Sequence, residues 1–357
     1  MHAVIMAGGV GTRFWPRSRK RRPKQLLPIA GAASMIRLTV ERLRSRIDPQ
    51  AILVVTQADQ ADAMRRELPE VPPENVLVEP CGRNTAPCIG LAAAVMRARG
   101  AGQQTMWVLP ADHVVREVDT FRAVLGAGDA LVVAQDRLVT LGIRPSRPET
   151  GYGYIQMGAE STVVDGQRFG RVTRFVEKPD LAVARELVTD ARYLWNSGMF
   201  AWRADRIRSE LDRHVPELAV GLDVLEAAYG TPDWEARLNE AYPSFPSISI
   251  DYGVLERATD VWVAPVEFGW SDVGSWASLA ELREADVHGN VLSAGSVALD
   301  AQRTIVEAGE RTVVVLGVSD LIVVDAGDAV LVCHRDRAQQ VGKIPAELQR
   351  RGKESLT

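Results

Sequence analysis

The sequence predicts an α/β protein with a mostly parallel sheet covered by helices on both faces, followed by a small all-β module. Through the first half, short apolar runs alternate with helical patterns, the βαβ rhythm of a parallel sheet. No long apolar stretch interrupts that rhythm. After about Val287 the texture changes to short β-rich runs at close spacing, separated by Gly and Asp.

Candidate strands are Ala3–Met6, 52–56, Val76–Glu79, 105–109 and 139–143, each a compact apolar run. Ser34 can cap a helix that continues through Met35, Leu38, Val40 and Leu43. The Ala-rich stretch from Thr85 to Arg99 reads as a second helix, and Thr120 to Ala134 as a third. "GYGYIQMG" reads as a hairpin or meander strand, and "RVTRFVEKP" as an alternating strand stopped by Pro179. "YLWNSGMFAWR" reads as a strand broken by Asn196-Ser197-Gly198. Helical stretches come next, around Ala204–Asp212 and Val215–Tyr229, and "VWVAPVEFGWSDVG" is a strand running into a loop. The β module is built from "SVALD", "RTIVEA", "RTVVVLGV", "LIVVDAG" and "AVLVCHR", and the charged tail from Asp336 to Lys353 reads as helical. The expected division is residues 1–286 and residues 287–357.

A hydrophobic fraction of 46% and a charged fraction of 25% are ordinary globular values. The formal net charge of -4 argues against a general nucleic-acid binder, which needs a basic face. Cys81, Cys88 and Cys333 form no C-x-x-C pair, and an odd count suits no closed disulfide framework. No apolar run approaches the roughly 18 residues of a membrane span, and no secretory leader pattern opens the chain. The expected setting is the reducing cytoplasm, away from membranes.

Positive charge is concentrated in one place, "MAGGVGTRFWPRSRKRRPKQLLPIAG", directly after the first strand. In parallel sheets, ligands bind at the carboxyl ends of strands. The segment is not a dinucleotide fingerprint, because Phe14 stands where the third glycine belongs. Nor is it a P-loop, because Lys24 lies far from the glycines. Its physics is the same as theirs. Glycines let backbone N–H groups approach an anion, and Arg13 and Lys24 add charge-assisted hydrogen bonds. A solvated basic loop is the bland alternative.

Four further segments sit at strand ends. "VLPADHVV" supplies Asp112 and "FGWSDVGSW" supplies Asp272. Mg²⁺ is typically held by one or two carboxylates plus substrate phosphates, which two such aspartates beside a phosphate loop would provide. Either aspartate alone reads more simply as a turn or cap residue, and His113 reads as structural. In "FVEKP", Glu177 and Lys178 alternate on one strand and should start on opposite faces. On that motif alone, a surface ion pair is the simpler role. In "EPCGRNTAP", Asn84 and Thr85 open a helix, with donor and acceptor groups suited to a cap or to a purine edge.

The opening segment resembles the G-x-G-T-R-x-x-P…P-K signature of sugar-nucleotidyltransferases. With "EPCGRNTAP", "PADH", "FVEKP", "WNSGMF", "SIDYGVLE" and "GWSDVGSW" in that order, the resemblance narrows to the mannose-1-phosphate guanylyltransferase group and spans residues 1 to about 285. It implies the Rossmann-like nucleotide-diphospho-sugar transferase fold. The segment from "HGNVLSAGSV" onward is similar to the short left-handed β-helix-like module of monofunctional members, which often makes subunit contacts, so a homodimer is expected. No cupin-type isomerase domain is expected after it.

The implied reaction is GTP plus mannose 1-phosphate giving GDP-mannose and pyrophosphate. The resemblance implies that Ala7, Gly8, Gly9, Gly11 and Thr12 meet the nucleotide. Lys24 would act at the α-phosphate and Arg13 at the departing pyrophosphate. Asp112 and Asp272 would hold Mg²⁺ or another divalent cation, and Lys178 the sugar phosphate. Glu177, Asn196 and the Gly153 backbone would read the sugar, and Asn84 and Thr85 the guanine. Two other readings stay open: a nucleotidyltransferase for another sugar 1-phosphate or for ATP, and a non-catalytic GDP-mannose-binding regulator. The presence of Lys24, Asp112 and Asp272 argues against the regulator.

Overall fold

A computed structural model describes residues 1–357. The first half runs β1 (His2–Met6), α1 (Met35–Leu43), β2 (Ile52–Gln57), α2 (Ala58–Glu67), β3 (Val76–Glu79), α3 (Thr85–Ala98), β4 (Thr105–Pro110), the short β5 (Val114–Val115), α4 (Val118–Gln135) and β6 (Leu138–Ile143). Then come β7 (Tyr154–Val164), β8 (Gln167–Val176), α5 (Leu181–Thr189), β9 (Tyr193–Arg203), α6 (Ala204–His214), α7 (Ala219–Ala228), α8 (Trp234–Ala241), β10 (Val261–Val266), β11 (Trp270–Ser271) and α9 (Leu279–Leu282).

Nine strands form one sheet in the order β3-β2-β1-β4-β9-β6-β10-β8-β7. The β3-β2-β1-β4 half is parallel throughout, and β6 pairs with β10 in parallel. Side chains alternate across the sheet. Ala3 and Ile5 of β1 join the apolar layer under α1, α2 and α4, while Val4 joins the layer under α3, α6, α7 and α8. Burial on both faces is why these strands read as unbroken apolar runs. Ser34 caps α1 as expected, its hydroxyl oxygen accepting from the Arg37 N–H.

The segment "YLWNSGMFAWR" departs from the expectation. It is one continuous strand, β9, inserted antiparallel between β4 and β6. Asn196-Ser197-Gly198 is a bulge in it, where the register against β6 slips between Thr140 and Gly142. Gly198 takes φ 71°, a left-handed conformation that a residue without Cβ adopts freely. Helix α8 has too weak an apolar stripe to stand out in the sequence: only Leu238 on it is buried.

The C-terminal strands β12 (Val291–Leu292), β13 (Val297–Leu299), β14 (Ile305–Glu307), β15 (Val314–Leu316), β16 (Leu321–Asp325) and β17 (Val330–His334) alternate between two small sheets. Strands β12, β14 and β16 pair in parallel, as do β13 and β15, so the chain coils as in a β-helix before β17 returns antiparallel. A 3₁₀ segment, Arg335–Lys343, and α10 (Ile344–Arg350) complete the tail. The coil is not isolated. Ile305, Ile322, Val324 and Leu331 share one apolar cluster with Phe14, Trp15, Val273 and Trp276.

The sheet leaves little slack. A Cβ on Gly128 of α4 would lie 2.6 Å from the Trp107 ring of central strand β4. Overpacking of that kind costs about 1–3 kcal/mol. Gly128→Ala is expected to lower the stability measured by urea unfolding by that amount without moving the loops at the carboxyl ends of the strands.

Candidate active site

The loop after β1 opens where the parallel strands end. The Ala7 N–H donates to the Val55 carbonyl, while the Ala7 carbonyl accepts from Gln25 and Thr56. The polar groups of Ala7 are therefore used inside the protein, and Ala7 lines neither of the two cavities that the loop borders. Gly8 and Gly9 instead line a cavity of about 510 Å³. Gly11, Thr12, Arg13 and Lys24 line a neighbouring one of about 260 Å³. Gly11 takes φ 68°, and a Cβ there would collide with the Lys24 side chain. Glycine at position 11 is thus what lets Lys24 fold back beneath the loop.

Lys24 is 5% exposed. Its ammonium lies 2.8 Å from Asp112 Oδ2 and donates to the Asp272 main-chain carbonyl at 2.7 Å. The ladder of β5 on β11, Ser271 opposite Val114, draws the two aspartates into the same small cavity. Burial works to raise the Asp112 carboxyl. The Lys24 ammonium outweighs it and holds Asp112 below the usual carboxylate range. The His113 imidazole, pushed down to about 4 chiefly by burial, is neutral, and its Nδ1 accepts from the Trp270 indole at 3.2 Å. Asp272 Oδ1 accepts from the Tyr152 hydroxyl at 2.5 Å. Tyr152 is set edge-on between Trp195 and Trp270. Arg13 donates to the Gly274 carbonyl at 3.0 Å.

The larger cavity has two ends. At one, Asn84 caps α3 with φ 68°, its Oδ1 accepting from the Thr85 N–H at 2.8 Å. The Thr85 hydroxyl accepts from the Ile250 N–H at 2.8 Å, which leaves its own proton to donate. Beside them is Glu79, 4% exposed. Its Oε1 accepts from the Tyr242 hydroxyl, and its Oε2 takes no protein donor. A Cβ on Gly8 would stand 2.9 Å from that free oxygen. Burial pushes the Glu79 carboxyl up to about 7, against the opposing effect of the Tyr242 bond.

At the other end, the pairings Tyr154↔Val176 and Tyr154↔Trp195 bring Gly153, Glu177 and Asn196 together. The Asn196 N–H donates to the Gly153 carbonyl at 2.8 Å, and a Cβ on Gly153 would collide with the Glu177 carboxylate. Asn196 Nδ2 donates to Asp251 Oδ1 at 2.8 Å. Burial first, then the Glu177 charge, raises Asp251 to about 6. Glu177 and Lys178 do not alternate on a strand, because β8 ends at Val176 and Lys178 turns left-handed at φ 47°. The two side chains meet, Nζ to Oε1 at 2.6 Å, with Glu177 buried and Lys178 57% exposed. An ion pair forms, but Glu177 lines the cavity while Lys178 is exposed and absent from its lining.

Glycine N–H groups, a buried ammonium and two carboxylates thus adjoin a cavity whose ends carry different hydrogen-bonding groups. Comparison with known proteins gives the family. Residues 2–288 match the nucleotidyl transferase family, and residues 295–348 match the MannoseP isomerase/GMP-like beta-helix domain. The chain belongs to the nucleotidyl transferase family. It is 40% identical to the xanthan biosynthesis protein XanB of Xanthomonas campestris over 99% of this chain and 74% of that protein. It is 38% identical to the mannose-1-phosphate guanylyltransferase of Escherichia coli K12, with the same shares covered. A crystal structure from Thermus thermophilus, described as a mannose-1-phosphate geranyltransferase, superimposes with a TM-score of 0.86. The identity there is 38%, over 98% of this chain and 99% of that one.

Within this nucleotidyl transferase, the polar residues of the cavity that the sequence did not single out include Glu79, Tyr152 and Asp251. All three lie inside the motifs "EPCGRNTAP", "GYGYIQMG" and "SIDYGVLE". Burial of a carboxyl cannot be seen in a motif, so Glu79 read as the end of a strand.

The Glu79 shift carries a sign. Its folded-state pKa of about 7 lies above the ordinary 4.5, so its share of stability is complete below pH 4.5 and lost as pH rises through 7. Glu79→Gln removes that dependence. Unfolding in urea should find the variant more stable than the parent by about 3 kcal/mol at pH 8.5, with the gap closing near pH 4.5.

Proposed function

We propose that this chain is a mannose-1-phosphate guanylyltransferase, making GDP-mannose and pyrophosphate from GTP and mannose 1-phosphate. The observation that carries the nucleotide choice is Glu79. Guanine presents two adjacent donors, N1–H and the N2 amino group, where adenine presents an acceptor and a C–H. Above pH 7, where Glu79 is ionised, a buried carboxylate with one oxygen free of protein donors matches guanine and leaves adenine facing a charge. Asn84 and Thr85 stand beside it, and Thr85 keeps a hydroxyl proton to donate.

The sugar belongs at the opposite end, among Glu177, Asn196, Asp251 and the Gly153 backbone, where carboxylates face hydroxyl donors. Gly8, Gly9, Gly11 and Thr12 line the path between the base end and the small cavity, where the triphosphate would lie. A phosphate oxygen of the sugar phosphate attacks the α-phosphorus, and the bond to pyrophosphate breaks in line. The attacking oxygen is already an anion, so no general base is required, consistent with the neutral, hydrogen-bonded His113. Lys24 meets the α-phosphate, Arg13 the departing pyrophosphate and Lys178 the sugar phosphate. Charge stabilisation and positioning do the catalysis.

Asp112 and Asp272 fit a Mg²⁺-class cation. Both are carboxylates lining one small cavity, and Asp112 Oδ1 and Asp272 Oδ2 accept no hydrogen bond from another side chain. Such a cation supplies charge neutralisation on phosphate oxygens.

We assign residues 1–286 to catalysis and 287–357 to the β module, and we place the enzyme in the cytoplasm. A homodimer is supported by exposed apolar side chains on β13 and β15: Val297, Leu299, Val314 and Leu316.

Pyrophosphate release tests the reaction directly, with a panel of nucleoside triphosphates against a panel of sugar 1-phosphates. GTP with mannose 1-phosphate should dominate, and a different best pair would replace the assignment. Glu79→Gln should cut the preference for GTP over ATP by at least about tenfold, because one donor–acceptor match is lost. Lys178→Ala should lower kcat/KM for mannose 1-phosphate by about tenfold to a hundredfold while leaving GTP binding alone. Asp272→Asn, which keeps shape but removes charge, should abolish most turnover.

A further inference from the structure

The tail of the chain reaches the phosphate loop. Its 3₁₀ segment buries Ala338 and Val341 in the same apolar cluster as Phe14, Trp15 and Trp276. Gly342 faces the short turn Thr12–Phe14. A Cβ there would stand 3.2 Å from Thr12 Oγ1 and 3.3 Å from Arg13 Cγ. Gly342 has no left-handed backbone to explain it, so close approach is what the missing Cβ permits. Farther along, the Leu356 carbonyl accepts from the Trp15 indole N–H at 2.9 Å. On its other side, the Trp15 carbonyl accepts from the Trp276 indole at 2.9 Å. The turn carrying Arg13 is therefore held from behind by residues more than 300 positions away, while its front faces the small cavity.

We propose that the tail is a positioning element for the nucleotide. Packing at Gly342 and the Trp15–Leu356 hydrogen bond set the Thr12–Trp15 turn so that Arg13 and the loop N–H groups meet the triphosphate. This rests on reading the loop as the phosphate site. The physical case is one of preorganisation. The loop has glycines at 8, 9 and 11, so its own backbone holds it weakly. A loop that must order on binding weakens the ligand it binds. The apolar side of the turn is the part free to be clamped, because the polar side must stay open to anions. Trp15 and Gly342 touch no substrate in this arrangement and act through Arg13.

The test uses three variants of the full chain: Trp15→Phe, which keeps the ring and removes the donor, Gly342→Ala, and deletion of residues 354–357. Initial rates are measured with each substrate varied in turn. Trp15→Phe is expected to raise KM for GTP by about threefold to tenfold, the range one hydrogen bond spans, with KM for mannose 1-phosphate unchanged within about twofold. The deletion should match it, and the two together should be no worse than either alone, since both remove the same bond. Gly342→Ala should change the same parameter. Amide exchange should quicken at residues 12–15 in all three, and Tm should stay close to that of the parent. A role in global stability alone predicts a different pattern: lower Tm, less active protein and both KM values intact. Unchanged KM for GTP in active, folded variants overturns the proposal while leaving the phosphate-site reading standing. Absence of nucleotide turnover in the intact chain overturns both.

Discussion

The arrangement depends on one buried ammonium. Lys24 lies almost out of solvent, over the Phe14 ring, with Asp112 on one side and the Asp272 carbonyl on the other. A buried cation costs several kcal/mol in lost hydration, so it persists only where partners are fixed around it. The surrounding structure supplies them. Gly11 gives up its Cβ to let the lysine pass, and the β5–β11 ladder delivers both aspartates. Tyr152, wedged between two tryptophans, holds Asp272 in turn. The same ammonium holds the half-buried Asp112 carboxyl below the usual carboxylate range.

Around that centre the polar groups are unevenly spread. Arg13 and Lys24 line the small cavity together with Asp112 and Asp272. Carboxyls without a cation collect at the ends of the larger one, Glu79 at one end and Asp251 at the other. Glu79 and Asp251 are both raised by burial, and neither has a cation paired to it by a direct contact. Carboxyls left without a salt bridge inside a cavity destabilise the empty protein. A ligand that donates hydrogen bonds to them offsets that cost on binding, so the same groups can give selectivity.

The β module bears on the site through mechanics. Its coil and tail share an apolar cluster with Phe14, Trp15, Val273 and Trp276, neighbours in sequence of Arg13 and Asp272. Both sides of the small cavity are thus anchored in the same patch of core. That is a reason for a catalytic sheet to carry a β coil at this place, beyond any contact the coil makes with a second copy.

Much was legible in the chain itself. Apolar runs and helical periodicity determined the parallel half of the sheet and its helices, because a strand buried on both faces has few alternative uses. The glycines beside Arg13, the downstream Lys24 and the aspartates after strand ends marked out the residues that the fold gathers around the loop after the first strand, since loop composition is local. Tertiary structure decided the rest. It made "WNSG" a bulge that aims Asn196, because the strand is held between β4 and β6. It ended β8 at Val176, so Glu177 and Lys178 meet instead of diverging. It gave Glu79 its raised pKa, because desolvation belongs to a position in the fold and to no motif. It also laid Gly342 against Thr12 and Arg13. Contacts across three hundred residues leave no periodicity to read, only a glycine whose neighbour is supplied by the fold.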